Sequence, residues 1–342
     1  MIDYNRNIEL LLSNTFVKED YHKCLYSVFR FQDLPVERIF SDHYQFFQEY
    51  LDNHLLDYQI QPTKLFYNSC DSINGWAAKE NGIGIISINR GSLIQLEYLF
   101  DQDPVLFYAQ PELKRIEKLS NICDSPIWRL MHQTSLLYLF YHEVGHIIQN
   151  SSKVSFDVIE ETTDQDSSFD QKSHELEIDA DMFAAIRLAK HGLQYWRKLQ
   201  SKNKSKDNLL TIVSIILSGI VVYRLKLFQY SGPFYYRKNK HPHIVIRIAA
   251  LITNIIDYLN TELNSTRELD DETLDPKSGY EVSMPIIKII SDKVLGAEAI
   301  GDYSSAFLSE AKGIKEYYGE LLEGMKADPE SAFNKSLKIP KK

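Results

Sequence analysis

Residues His142, Glu143 and His146 stand in the order His-Glu-x-x-His. On a helix this spacing puts both imidazoles on one face, one turn apart, where they can share a metal ion. Zinc suits that donor set best. Glu143 directly follows the first histidine, where a carboxylate can reach a water on the same ion and act as general base. A hydrolytic zinc site also needs a third protein ligand and one open position. The run Glu177-Ile178-Asp179-Ala180-Asp181 offers that ligand downstream. Glu177 and Asp181 are four apart and share a face. Glu177 is expected to ligate, and Asp181 to stand behind, accepting the free ring N–H of a ligand histidine. Small Ala180 and Ala184 would let the two helices pack closely. Glu175 and Asp179 fall off that stripe and are expected in solvent.

The elements that must position these residues can be read coarsely. Residues 1–62 are aromatic-rich and helical in pattern, and His22, His43 and His54 there lack metal-ligand spacing. Residues 64–68 form a short strand. Two further β-prone runs, 73–78 and 83–89, flank Asn81-Gly82, a hairpin signal. That hairpin is either an ordinary core element or an edge strand beside a cleft, able to hold an extended peptide by strand addition. A helix starts near Ser92, and a short one covers about 111–120. Pro126 can open a helix over roughly 126–149 that carries the histidines near its end. Residues 151–172 are acidic, without helical period, and read as a loop or lid. Ser173 is the expected N-cap of a helix running to about Lys190, with Gly192 as its stop. Helices follow at 209–223 and about 243–262, then a solvated connector at 264–280. Two or three helices fill 282–327, and 328–342 frays.

The expected fold class is therefore α+β, mostly helical, with a small sheet or hairpin at about 64–90 beside the site helices. Its organisation is a helical region 1–62, a core 63–262 and a helical C-terminal appendage 281–327. With 342 residues, 44% of them hydrophobic, the chain can bury a large core. The net charge of -9 and the lack of a long basic block argue against nucleic acid as a partner. Three scattered cysteines and no Cys-x-x-Cys fit a reducing compartment and exclude a thiolate-ligated structural zinc. The first residues lack the basic and apolar segments of a secretory signal, so residence in the cytoplasm is expected. The charge-free run 209–223 is ~15 residues long, short of the roughly 20 a bilayer span requires. It reads as a buried core helix.

Taken together, His142-Glu143-x-x-His146, Glu177-x-x-Ala180-Asp181 and His241-Pro242-x-x-x-x-Arg247-Ile248 resemble the three-part signature of gluzincin metallopeptidases. The type I CAAX prenyl protease and heat-shock membrane protease families and their soluble relatives carry the most similar pattern. Segment 73–93, with Asn74 and Arg90-Gly91-Ser92-Leu93, is similar to their Asn-Ala-x-Ala strand and Arg-Gly-Leu motif. Gly75 and Trp76 depart from it, and paired N-terminal membrane helices are absent. The size and motif order also resemble phage-exclusion (Lit-like) peptidases. The resemblance covers roughly 72–250 and implies a zincin-like core over 63–262 and one zinc ion per chain. By that analogy His142, His146 and Glu177 are the ligands, Glu143 the base and His241 an oxyanion stabiliser. His243 or a tyrosine among Tyr223, Tyr235 and Tyr236 is the alternative for that last role. Arg247 would brace the ligand helix through Asp181, and Asn74, Trp76 and Ile86 would line the substrate cleft. The implied activity is endopeptidase cleavage of a protein or peptide. The alternatives are a metal-binding regulatory protein without turnover, or a membrane-associated protease anchored through 209–223.

Overall fold

The computed structural model describes residues 3–14, 28–58, 60, 62–101, 110–123, 126–153, 156–160, 168–228, 233–266, 268–269, 274–296 and 301–337. The fold is α+β and mostly helical. Helices α1 (Tyr4–Asn14) and α2 (Glu37–His54) precede strand β1 (Thr63–Asn68). Strands β2 (Gly75–Glu80) and β3 (Ile83–Asn89) form the expected hairpin. Its turn residues Asn81 and Gly82 take φ of 49° and 84°, the primed geometry that matches the twist of the flanking strands.

Short helix α3 (Arg90–Phe100) leads on to α4 (Lys114–Ser120) and then to α5 (Ile127–Gln149), the helix bearing both histidines. Strand β4 (Phe156–Glu160) follows, inside the acidic stretch expected to be a loop. It pairs antiparallel with β2, so the sheet order is β1-β3-β2-β4 with β1 parallel to β3. Of the two readings of the hairpin this favours the core element over the edge strand: both hairpin strands lie inside the sheet, and the edges are β1 and β4. The pairing partner supplied by β2 settles β4 as a strand, which local composition does not. The rest of the proposed lid, 154–155 and 161–167, lies outside the described residues.

Helix α6 (Gln171–Lys198) is capped by Asp170, not Ser173. The Asp170 carboxylate accepts from the backbone N–H groups of Lys172 and Ser173 at 3.1 Å each. The helix also runs past Gly192, whose missing side chain serves packing instead of termination. A Cβ there would stand 2.9 Å from Ile216 Cδ1 on α7 (Lys206–Phe228). Helix α8 (Ile244–Thr266) packs on α6. The chain closes with α9 (Pro276–Leu295), α10 (Gly301–Ser309), α11 (Ala311–Ala327) and α12 (Ala332–Leu337). Helix α9 lies on α7, while α11 and α12 lie on α6.

At the centre α5 is almost wholly buried, between the sheet on one side and α6 and α7 on the other. Helix α7 is as apolar as a membrane span by composition. Within the protein 94% of its apolar window is buried, and for the similarly apolar α8 the share is 61%.

Gly145, between the two histidines of α5, meets Ala180 of α6. A Cβ at 145 would lie 2.9 Å from Ala180 Cα and 3.1 Å from its Cβ, so the helices touch backbone to backbone there. Gly145→Ala should therefore cost about 1–3 kcal/mol of stability through overpacking. Gly319→Ala on α11, where no atom lies within 4 Å of an added Cβ, should instead stabilise by roughly 0.5–1 kcal/mol. Urea unfolding of the two variants beside wild type tests the contrast.

Candidate metal centre

The close approach of α5 and α6 brings three ligand-type side chains together. His142, His146 and Glu177 are all buried, with candidate ligand atoms within 4.8 Å of one another. The two Nε2 atoms are 3.1 Å apart. Glu177 Oε2 lies 3.5 Å from His142 Nε2, and Oε1 lies 3.5 Å from His146 Nε2. For metal–ligand bonds of 2.0–2.2 Å, the edge of a tetrahedron is about 3.3–3.6 Å. The two nitrogen–carboxylate separations fall in that range and the Nε2–Nε2 separation lies just below it, so the two imidazoles and the carboxylate could share one ion.

The protonation pattern is set from behind. His142 Nδ1 is 3.0 Å from Asp181 Oδ1, and His146 Nδ1 is 2.9 Å from Gln149 Oε1. Gln149 Nε2 is occupied in donating to Leu176 O at 2.7 Å and Asp179 Oδ2 at 2.9 Å, so its oxygen must face His146. Both histidines therefore keep their proton on Nδ1 and turn an Nε2 lone pair inward. Two lone pairs and a carboxylate converging in a buried space is a donor set that fits a divalent cation.

Asp181 is fixed by more than the histidine. Arg247 holds it with both arms, Nε to Oδ2 at 2.6 Å and an Nη to Oδ1 at 2.8 Å, and reaches Glu177 Oε2 at 2.9 Å. Arg224 of α7 donates to Asp181 Oδ1 at 3.0 Å and to the Tyr138 hydroxyl, which itself donates to Asp181 at 2.5 Å. Burial alone would raise the Glu177 carboxyl. The Arg247 guanidinium beside it instead holds it well below the usual carboxylate range.

Glu143 is buried on the same turn as His142. His241 stands beside Glu177, with Nδ1 3.5 Å from Oε1. Its loop is tied down by His174, which donates from Nε2 to the Asn239 carbonyl at 2.7 Å and accepts from the Tyr317 hydroxyl at 2.9 Å. Burial lowers His174 to about 4, so it stays neutral near pH 7. The alternatives to His241 make the following contacts. His243 Nδ1 accepts from Val245 N at 3.2 Å, Tyr235 donates to the His241 carbonyl at 3.2 Å, and Tyr236 donates to Glu310 at 2.9 Å. Tyr223 stacks edge-on against Tyr138.

The cleft residues are placed differently. Asn74 is half-buried, and its Oδ1 accepts from Gly75 N at 2.8 Å. Trp76 is buried against Phe66, and Ile86 is fully buried in the middle of the sheet. The expectation that Glu175 and Asp179 are solvated is corrected: both are buried, beneath the C-terminal helices.

Sequence reading missed Tyr138, Arg224 and Gln149. The available signals were an arginine directly after the charge-free run 209–223, and positions one turn before His142 and three residues after His146.

A helical pair that presents two histidines and a glutamate, each backed by an orienting group, could hold a metal ion. A family model described as Peptidase U49 matches residues 129–262, the stretch that carries this pair together with His241 and Arg247. The match supports a peptidase. No curated protein and no solved structure matches the chain.

Removing one cation from the buried Asp181 cluster should be severe, because Asp181 and Glu177 are then left to share the single guanidinium of Arg247. Arg224→Met should cost about 3–5 kcal/mol, whereas Tyr138→Phe, which removes one neutral donor, should cost about 1 kcal/mol. Equilibrium denaturation of both variants checks the order.

Proposed function

We propose that the chain is a zinc-dependent endopeptidase, with His142, His146 and Glu177 as ligands and Glu143 as general base. The observation that supports this best is the convergence of two inward Nε2 lone pairs with the Glu177 carboxylate, at separations of 3.1 to 3.5 Å. When bound, the zinc ion supplies a Lewis acid for the scissile carbonyl and acidifies the attacking water.

The chain's own groups do the rest. Glu143 takes the proton of the attacking water on its carboxylate and delivers it to the departing amine nitrogen. His241, beside Glu177, donates a hydrogen bond to the developing oxyanion. Arg247 and Asp181 hold Glu177 and His142 in place, so the site need not reorganise as charge develops. Asn74 is the cleft residue with exposure left to meet a substrate backbone. The similarity in motif order to phage-exclusion peptidases favours a protein substrate met in the cytoplasm. A protease anchored through 209–223 would require α7 to leave the core that its side chains fill.

Glu143→Gln should abolish cleavage while zinc stays bound at one ion per chain. His142→Ala, His146→Ala and Glu177→Ala should each lose the ion, and a chelator should silence the wild type reversibly. Metal content by elemental analysis, paired with a proteome-wide search for new protein termini, reads both halves. A Glu143→Gln protein that still generates every terminus made by the wild type would refute the assignment of the base. It would equally leave room for a metal-binding regulator in which this carboxylate has no catalytic part.

A further inference from the structure

Gln149 takes no part in the reaction just described, yet it is buried directly behind His146 and spends all its polar capacity there. Its oxygen accepts the His146 Nδ1 proton at 2.9 Å, and its nitrogen donates to Leu176 O and to Asp179 Oδ2. Asp179 is in turn held from the far end of the chain. Its Oδ1 accepts from the Ser331 hydroxyl at 2.7 Å and from Phe333 N at 3.0 Å, and its Oδ2 accepts from Ala332 N at 2.6 Å. The same segment is pinned to the end of α5. Lys335 Nζ donates to the Ile148 carbonyl at 2.9 Å, to the Ser151 hydroxyl at 2.5 Å and to Glu330 at 2.6 Å.

We infer that Gln149, Asp179 and the C-terminal segment Ser331–Phe333 form a positioning relay for His146. The inference rests on the metal reading above and adds a stretch of chain beyond the 129–262 match. His142 has a carboxylate, Asp181, directly behind it. His146 has a neutral amide, and that amide has a carboxylate behind it. Asp179 orients the amide, the amide keeps the His146 proton on Nδ1, and Nε2 is thereby left as a lone pair aimed at Glu177 and His142. Without the relay the hydrogen bond from His146 Nδ1 that favours this tautomer is lost. Ser331 is 152 residues from Asp179. A segment far downstream in sequence thus buttresses a site built from α5 and α6.

The test uses the full chain, stripped of metal and reloaded with Zn2+ or Co2+. Zinc affinity is measured by competition with a chromophoric chelator, and the ligand field by the visible spectrum of the cobalt form. Gln149→Met should weaken zinc binding by about 10–100-fold and alter the cobalt spectrum, as loss of a group orienting a ligand histidine does. Ser331→Ala should weaken binding in the same direction by less, and Ser331→Thr, which keeps the hydroxyl, should restore it. Far-ultraviolet dichroism and melting temperature confirm that each variant is folded. If Gln149→Met fails to fold, Ser331→Ala against Ser331→Thr decides. Folded variants with wild-type affinity and spectrum overturn the relay alone. A wild type that takes up neither ion overturns the relay and the metal reading together.

Discussion

The Asp181 carboxylate is the group on which the site depends. It has no exposure to water, and burying it requires compensation from every side. The compensation comes from three other helices: Tyr138 and His142 from α5, Arg224 from α7 and Arg247 from α8. Each partner is itself buried, so none can satisfy its charge elsewhere. Arg247 is the most demanding of them. Its guanidinium forks across both oxygens of Asp181 and spends its remaining arm on Glu177. A planar five-donor fork can do this, and an ammonium cannot. Two carboxylates face two guanidiniums, and the two imidazoles turn their Nε2 atoms toward the Glu177 carboxylate.

That arrangement needs the helices closer than ordinary side chains allow. Gly145 and Ala180 provide the close approach, and the ligands project from either side of it. His142 and His146 flank Gly145 on α5, while Glu177 and Asp181 flank Ala180 on α6. Coordination geometry and helix packing are therefore one constraint: the small residues that permit contact sit between the ligands that need it. Helix α7, apolar nearly throughout, fills the space behind and delivers one charge, Arg224, at its buried end.

Much of this was legible because it is periodic. The four-residue repeats of His142/His146 and Glu177/Asp181 declare a shared face without any knowledge of the partner, and Asn81-Gly82 declares its turn. What was not legible depends on partners distant in sequence. Phe156–Glu160 reads as acidic loop until β2 offers its hydrogen-bonding edge. Gly192 reads as a helix stop until Ile216 is seen to occupy the place of its side chain. Asp179 is the sharpest case. It lies off the ligand stripe, so local reasoning sends it to solvent, but the C-terminal segment covers it from 152 residues away. Arg224 left a trace, a cation directly after the charge-free run 209–223. Its meaning appears only when Asp181 is found opposite.

The difference between Glu177 and Asp181 also follows from this geometry. Both carboxylates occupy the same face of α6, one turn apart, and both are bound by the same arginine. One methylene separates them in reach. The longer side chain extends past the contact line of the helices, so its oxygens come level with the two Nε2 atoms at 3.5 Å. The shorter one stops behind His142, at the Nδ1 side of the ring. Side-chain length thus sets which carboxylate reaches the Nε2 atoms and which stays at the Nδ1 side. Arg247 reinforces the sorting: it engages Glu177 at Oε2 alone and leaves Oε1 beside His146 and His241, toward the side where an ion and a substrate carbonyl would meet.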